Sequence, residues 1–301
     1  MTVINTNTAA TLTANALTKN ERAMSQAMER LSTGVRINSA ADDAAGLAIS
    51  SRMTSQVNGL NMSVRNANDA ISMVQTADGA LVEVTNMLQR MRELTVQAVS
   101  GTLSSTDVTA LNTEFTGLRD QIQEVAKNTE WNGTKILDGS VGTATSVDFQ
   151  VGANASQTIS VVFGDLNTNF NSTDSTTEAV LATGILVGLG TAGIGSGTGG
   201  TKDLIDQEVN TSAIISTIDA ALTNVNEKRS DYGAAINRLE YTADNLANIS
   251  QNTSASRSRI LDADYAAETT ELARTQIIQQ AGTAMLSQAN QMAQSVLSLL
   301  K

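Results

Sequence analysis

Apolar residues in this chain recur at steps of three and four through five stretches and at steps of two through one, a pattern that predicts five helices and a β-hairpin. The first stretch sets Leu17, Met24, Met28, Leu31 and Val35 at helical spacing and stops at Ser32-Thr33-Gly34, where glycine can take a left-handed cap. Arg36 to Asp43 reads as a connector. From about Ala44 to Val99, Met53, Val57, Leu60, Val64, Ala67, Ile71 and Val74 alternate steps of four and three, the seam of a coiled coil. Asp78 stands where the next seam residue belongs, and the stripe resumes on Ala77, Leu81, Val84, Leu88 and Met91, which predicts a stammer. At 1.5 Å per residue this helix would run roughly 80 Å.

A second rod helix starts after Ser104, with Asp107 as its capping-box partner, and repeats Val108, Leu111, Phe115, Leu118, Ile122 and Val125. The period then drops to two in Val147, Phe149, Val151 and in Ile159, Val161, Phe163, the hairpin. From Asn167 to Gly200 the chain is rich in Thr, Ser, Asn and Gly and reads as a surface loop or small appendage. Helical period returns with Ile215, Ile218, Leu222, Val225, Arg229, Tyr232, Ile236, Leu239, Ala243 and Leu246. A Ser/Arg-rich joint at Ser254 to Arg259 precedes a last helix, from about Asp264, striped by Leu272, Ile278, Ala281, Met285, Met292, Val296 and Leu299. The expected fold is mainly α: a long antiparallel helical rod or coiled-coil bundle formed by both chain halves, with a small β-hairpin and a short central insert. The expected divisions are terminal helices 1–43 and 256–301, a rod of 44–166 and 211–255, and a variable surface segment 167–210.

Composition sharpens this picture. Aromatics make up 3% of the 301 residues and there is one tryptophan, so narrow helical seams fit better than a wide globular core. There is no proline to kink a helix and no cysteine, so folding waits on neither proline isomerisation nor disulfide pairing. Such a chain suits export unfolded and rapid refolding. The 30 acids against 19 bases leave a net charge of -11, which argues against nucleic acid as a partner. Six acids against the single base Lys202 between Asp165 and Asn210 account for -5 of it and mark that segment as solvated. Met1 to Ala10 has neither the basic nor the apolar region of a cleaved secretory signal, and no membrane span is expected.

The ends are the informative part. Residues 1–18 and Thr275 to Leu300 carry no charge, although the latter holds Gln276, Gln279, Gln280, Gln288, Asn290, Gln291 and Gln294. A solvated helix normally shows Lys and Glu on its outer face. Neutral amides with a hydrophobic stripe point instead to contact with neighbouring subunits on most sides, and contacts of that kind propagate into filaments unless they close. Met1 to Arg36 carries four bases and two acids, Leu261 to Lys301 four acids and two bases, which favours pairing of the two ends. The polymerisation residues expected on this basis are Leu17, Met24, Met28, Leu31, Leu272, Ile278, Met285, Met292, Val296 and Leu299.

No catalytic, cofactor or metal site is expected. Without histidine or cysteine, zinc sites, Ser-His-Asp triads and cysteine nucleophiles are excluded. Gly188-Leu189-Gly190-Thr191-Ala192-Gly193 satisfies a dinucleotide fingerprint, but the glycine tract after it cannot form the helix that would hold a pyrophosphate. Asp42-Asp43 and Asp262 with Asp264 sit at helix starts, where acids favour the dipole.

Several strings carry a family resemblance: Ile4-Asn5-Thr6-Asn7, the run from Arg30 to Ile49, Arg259 to Tyr265, Gln276 to Ala281, and Val296 to Leu300. Over both ends, about two thirds of its length, the chain closely resembles bacterial flagellin. The resemblance implies a homopolymeric extracellular flagellar filament whose inner tube is lined by the paired terminal helices, with the rod outside them and the central segment outermost. It implies export through the flagellar secretion apparatus, a chaperone on the C-terminal helix beforehand, and contacts with hook-junction and cap proteins. It also implies recognition by Toll-like receptor 5 through Gln89-Arg90-Met91-Arg92-Glu93-Leu94 and Glu114, with Arg90, Leu94 and Glu114 as the matching positions. The nearest alternative is a hook-filament junction protein of the same superfamily; an enzyme in the central segment is rejected.

Overall fold

The structure is a computed structural model that describes residues 7–100, 102–143, 145–166 and 207–299, with the side chains of 207–213 and 292–299 left out of the description. Most of the expected surface segment, 167–206, with its glycine tract and the Gly188 to Gly193 fingerprint, lies outside the described residues. The described elements are helices α1 (Thr8–Thr33), α2 (Ala44–Val99) and α3 (Ser105–Asn128), strands β1 (Glu130–Trp131), β2 (Thr134–Lys135), β3 (Ser146–Gln150) and β4 (Thr158–Val162), then helices α4 (Gln207–Leu261) and α5 (Tyr265–Leu299). They fall into two compact units, Met1–Asn58 with Ser250–Lys301, and Gly59–Ile249.

The second unit is a helical bundle around one hydrophobic cluster. Three helices bury a residue on every seventh position: Leu60, Ala67, Val74, Leu81 and Leu88 on α2, Val108, Phe115 and Ile122 on α3, and Ile218, Val225, Tyr232, Leu239 and Leu246 on α4. That repeat is the signature of side chains packing along narrow helix seams. The N-terminus of α3 is held by the expected box, Ser104 accepting from the Asp107 amide and Asp107 from the Ser104 amide. The hairpin is also where the period of two placed it. β3 and β4 pair antiparallel from Ser146 opposite Val162 to Gln150 opposite Thr158, and their buried residues join the helical core.

Two expectations are corrected. The stammer is absent: the α2 burial row runs Ala67, Ala70, Val74, Ala77, Leu81, Val84, Leu88, Met91 in unbroken threes and fours. The sequence pattern suggested a break because Ile71 is bulkier than Ala70, yet Ala70 is buried and Ile71 only partly so. Asp78 therefore lies beside the seam, where its carboxylate accepts from Arg229 Nε at 2.9 Å. The Ser254 to Arg259 joint is continuous helix, because Ser256 and its neighbours keep the α4 ladder and the break comes at Asp262. A second two-residue ladder, β1 with β2, was not anticipated. It closes on Asn132 and Gly133, both at positive φ (50° and 75°), the geometry for which an Asn-Gly pair is suited.

Tyr232 ties helix to hairpin. Its ring lies 5.9 Å from that of Phe163, and its hydroxyl donates to the Phe163 carbonyl. Burial first, then the charges of Asp78 and Asp231, push the phenol above its ordinary value of 10.0. The folded-state pKa is raised, so this contribution to stability is full below about pH 10 and is lost as pH rises and the unfolded chain ionises. Denaturant titrations between about pH 8 and pH 11 are expected to show stability falling, with a shallower fall in Tyr232→Phe. At neutral pH that variant should lose about 1–3 kcal/mol, since a buried carbonyl is left without its donor.

Candidate functional site

The first unit brings the uncharged ends together. α1 is capped by Asn7, whose side chain accepts from the Ala10 amide, and ends at Gly34, φ 73°, whose N–H donates to the Arg30 carbonyl. Val35 and Asp262 then form an antiparallel bridge. Arg36 N–H donates to the Leu261 carbonyl at 2.6 Å, Ala263 N–H to the Gly34 carbonyl at 3.0 Å, and the Arg36 guanidinium to the Ile260 carbonyl at 2.8 Å. α1 and α5 leave this clasp side by side and antiparallel.

The acids at the joints act on backbone. Asp43 accepts from the Gly46 amide at the start of α2, and Asp264 from the Ala266 and Ala267 amides at the start of α5, as the capping reading requires. Asp42 instead closes the connector loop. The amides of Ser39 and Asn38 hold its carboxyl below the ordinary 3.8. Asp262 accepts from the Ser258 hydroxyl.

The seam between α1 and α5 mixes small and polar side chains with larger apolar ones. On α5 the less exposed row is Glu268, Leu272, Thr275, Gln279, Gly282, Leu286 and Ala289, in alternate fours and threes. Asn20, buried, donates to the Thr275 carbonyl at 2.7 Å, and Asn7 to the Ala289 carbonyl at 3.1 Å. Gly282 admits Leu17, since a β-carbon there would sit 3.3 Å from the leucine Cδ1. Arg30 and Glu268 pair at 3.0 Å. Amides that donate across the seam satisfy themselves locally and let the backbones approach.

That arrangement divides the expected polymerisation residues. Leu17, Met24, Leu31 and Leu272 are half-buried within the pair. Met28, Ile278 and Met285 are not in the seam: they are 54%, 41% and 60% exposed, joined by Leu12 at 73% and Ile277 at 66%. Met292, Val296 and Leu299 lie on the last turns of α5, outside the residues whose side chains are described. Sequence reasoning missed Asn7, Asn20, Thr275 and Gly282 because it followed bulk. The signal was present as a second heptad row on α5, offset from the apolar one and filled by Thr, Gln, Gly and Ala.

On the second unit, Gln89, Arg90, Arg92, Glu93 and Glu114 are exposed. Arg90 is hydrogen-bonded to Glu114 at 2.9 Å and Glu93 at 3.0 Å, which raises its pKa further and keeps it charged. Arg92 pairs with Asp219 at 2.6 Å and lowers that carboxyl. Gln89, Arg92 and Glu93 line a shallow cleft of about 520 Å³ with Val96 and Gln97. Leu94, expected on this surface, is instead 1% exposed, because it continues the α2 seam three residues after Met91. Among the described residues no group of three or more acidic, His or Cys side chains converges, and no helix is long and apolar enough to cross a membrane.

A pair of terminal helices that closes on amides and small residues as well as leucines, and still turns several large apolar side chains to solvent, is the build of a helical subunit that packs against further chains, a structural protein of the filament-forming class. Residues 4–142 match the bacterial flagellin N-terminal helical region, and 215–300 the bacterial flagellin C-terminal helical region. The chain belongs to the bacterial flagellin family. It is 41% identical to a flagellin of Bacillus subtilis and 44% identical to a flagellin of Xenorhabdus nematophila, in each case over 99% of both chains. A solved structure from Vibrio parahaemolyticus assigned to a flagellar hook-associated protein is 14% identical, covers 73% of this chain and all of that one, and has a TM-score of 0.55, a likeness of fold alone. The protein is a structural subunit of the bacterial flagellar filament, which serves motility.

Proposed function

We propose that the subunit polymerises through the large apolar side chains that its terminal helix pair leaves uncovered, Leu12 and Met28 on α1 and Ile277, Ile278 and Met285 on α5, and that Met292, Val296 and Leu299, which follow Met285 at helical spacing in the sequence, share the role. The observation that carries this reading is the exposure of Leu12, Met28, Ile277, Ile278 and Met285, all but Met28 within the uncharged stretches 1–18 and 275–300. Each one buried against another copy would contribute about 1.5–3 kcal/mol, so a few per subunit suffice to hold a polymer. Leu17, Met24, Leu31 and Leu272 act indirectly, by holding the hairpin that presents the face. In this reading 1–43 and 256–301 are the polymerising segments, 44–166 and 211–255 the rod, and 167–210 a variable surface segment.

The same exposed row is what an export chaperone on the C-terminal helix would cover before assembly, and what hook-junction and cap proteins would meet at the filament's ends. Export then runs through the flagellar secretion apparatus. Recognition by Toll-like receptor 5 would use the charged face of Gln89, Arg90, Arg92, Glu93 and Glu114, without Leu94. Removing Gln276 to Lys301 tests the main reading. The truncated chain is expected to keep the thermal transition of the Gly59–Ile249 unit yet fail to extend filament seeds. Seeded growth by that chain, followed by light scattering and electron microscopy, would contradict it.

A further inference from the structure

Five of the ten methionines, all among the described residues, fall into three environments. Met73 and Met91 are buried in the core of the second unit, at 4% and 0% exposure. Met62 is exposed as well, at 47%, but lies on the second unit, outside the terminal helix pair. Met28 and Met285 are exposed, and no hydrogen bond to either sulfur is found. Both lie on the terminal helix pair, among the large apolar side chains that it turns outward, Met285 within the uncharged stretch 275–300 and Met28 beside Glu29 and Arg30.

We infer that Met28 and Met285 form an oxidation-sensitive pair whose conversion to sulfoxide blocks entry of the subunit into the polymer. This rests on the reading that the outward face of the hairpin is the assembly face. The reaction is a two-electron transfer with hydrogen peroxide as oxidant. The thioether sulfur attacks one peroxide oxygen, an S–O bond forms as the O–O bond breaks, and the displaced hydroxide takes up a proton to leave as water. Sulfur is oxidised and peroxide reduced. The product is a polar, chiral sulfoxide in place of a flexible apolar group.

The folded subunit tolerates this change, because both side chains are in water and the new oxygen is solvated where it forms. The polymer does not tolerate it. Burying the sulfoxide against another copy strips that oxygen of water without supplying a donor, the costly case for any polar group. Oxidation at these two positions therefore acts on assembly and leaves the fold alone. The Met73 and Met91 sulfurs in the second unit are reached only when that unit opens. Reduction of the sulfoxides by methionine sulfoxide reductases of both stereochemical types restores the thioether, so the block is reversible.

The test treats purified full-length subunit with hydrogen peroxide and follows each methionine by peptide mass spectrometry, with seeded filaments treated in parallel. In the monomer, Met28 and Met285 are expected to oxidise on the order of tenfold faster than Met73 and Met91, with Met62 between them. In filaments Met28 and Met285 should be protected and Met62 should not change rank. Treated monomer should keep its thermal transition and lose seeded growth, with a critical concentration raised on the order of tenfold or more. Reductase treatment should restore growth, and M28L/M285L subunits, which keep the apolar bulk, should grow after peroxide treatment in a Met292→Leu background, which removes the remaining methionine assigned to the same face.

Treated wild-type subunit that is sulfoxide at both positions and still grows normally would overturn the inference, as would M28L/M285L subunits in the Met292→Leu background that lose growth to peroxide as fully as wild type. Equal oxidation of Met28 and Met285 in monomer and filament would instead overturn the assembly-face reading beneath it. The two failures are thus distinguishable within one experiment.

Discussion

Ile278→Asp/Met285→Asp subunits are expected to fold as wild type does and to remain unassembled, with the critical concentration for seeded growth raised at least about a hundredfold. The estimate follows from two apolar side chains that no longer contribute about 1.5–3 kcal/mol each, at 1.4 kcal/mol per factor of ten. Two carboxylates desolvated without partners raise it further. Neither residue is in the seam with α1, so the hairpin itself should lose little more than the helix-propensity difference of the new residues, a few tenths of a kcal/mol each. Met285→Leu, which keeps volume and polarity, should assemble. Sedimentation and seeded light scattering measure the effect, and circular dichroism confirms that the monomer has kept its helices.

Phe115→Ala should produce the opposite separation. Phe115 is fully buried on α3, seven residues from Val108 and seven from Ile122, in a core that has few aromatic rings to spare. Truncation to alanine leaves a cavity as well as losing the transfer energy, about 3–5 kcal/mol together. For a unit of this size that lowers the thermal midpoint on the order of 10 °C. Tyr241→Ala on α4 is the control, since Tyr241 is 77% exposed and should stay within about 0.5 kcal/mol of wild type. Calorimetry of the three monomers decides the matter without reference to assembly.

Much of this fold was legible in the sequence because heptads and a period of two are strong local signals. The α3 row, the Ser104 and Asp107 box, the Gly34 cap and the β3–β4 ladder all follow from residues read in order. What misled was size. Ile71 suggested one seam and Ala70 makes another, because two helices in close contact bury small residues at their centre and let larger ones flank it. Asp78 and Arg229 each look like a fault in a separate stripe, and only the antiparallel packing of α2 and α4 shows that they are each other's partner. The Ser/Arg stretch before Leu261 resembles a joint by composition, yet nothing in it breaks a helix and there is no proline to do so.

The same bias shaped the reading of the site. Periodicity identified apolar stripes on both terminal helices but could not say which of their residues face each other. Asn7, Asn20, Thr275 and Gly282 take the inner positions, and this frees Met28, Ile278 and Met285 for the outer ones. The family resemblance groups Leu94 with Arg90 and Glu114 on one surface, whereas its spacing from Met91 places it in the core. Uncharged ends thus pointed correctly to a structural role, while the choice of which side chains serve it depended on three-dimensional pairing.

Electron cryomicroscopy of the assembled filament tests the central claim most directly. The account predicts Leu12, Met28, Ile277, Ile278 and Met285 seated against neighbouring copies, with Asn20 still bonded to the Thr275 carbonyl within each subunit. Terminal hairpins that are paired in this way but leave those five side chains facing water would contradict it.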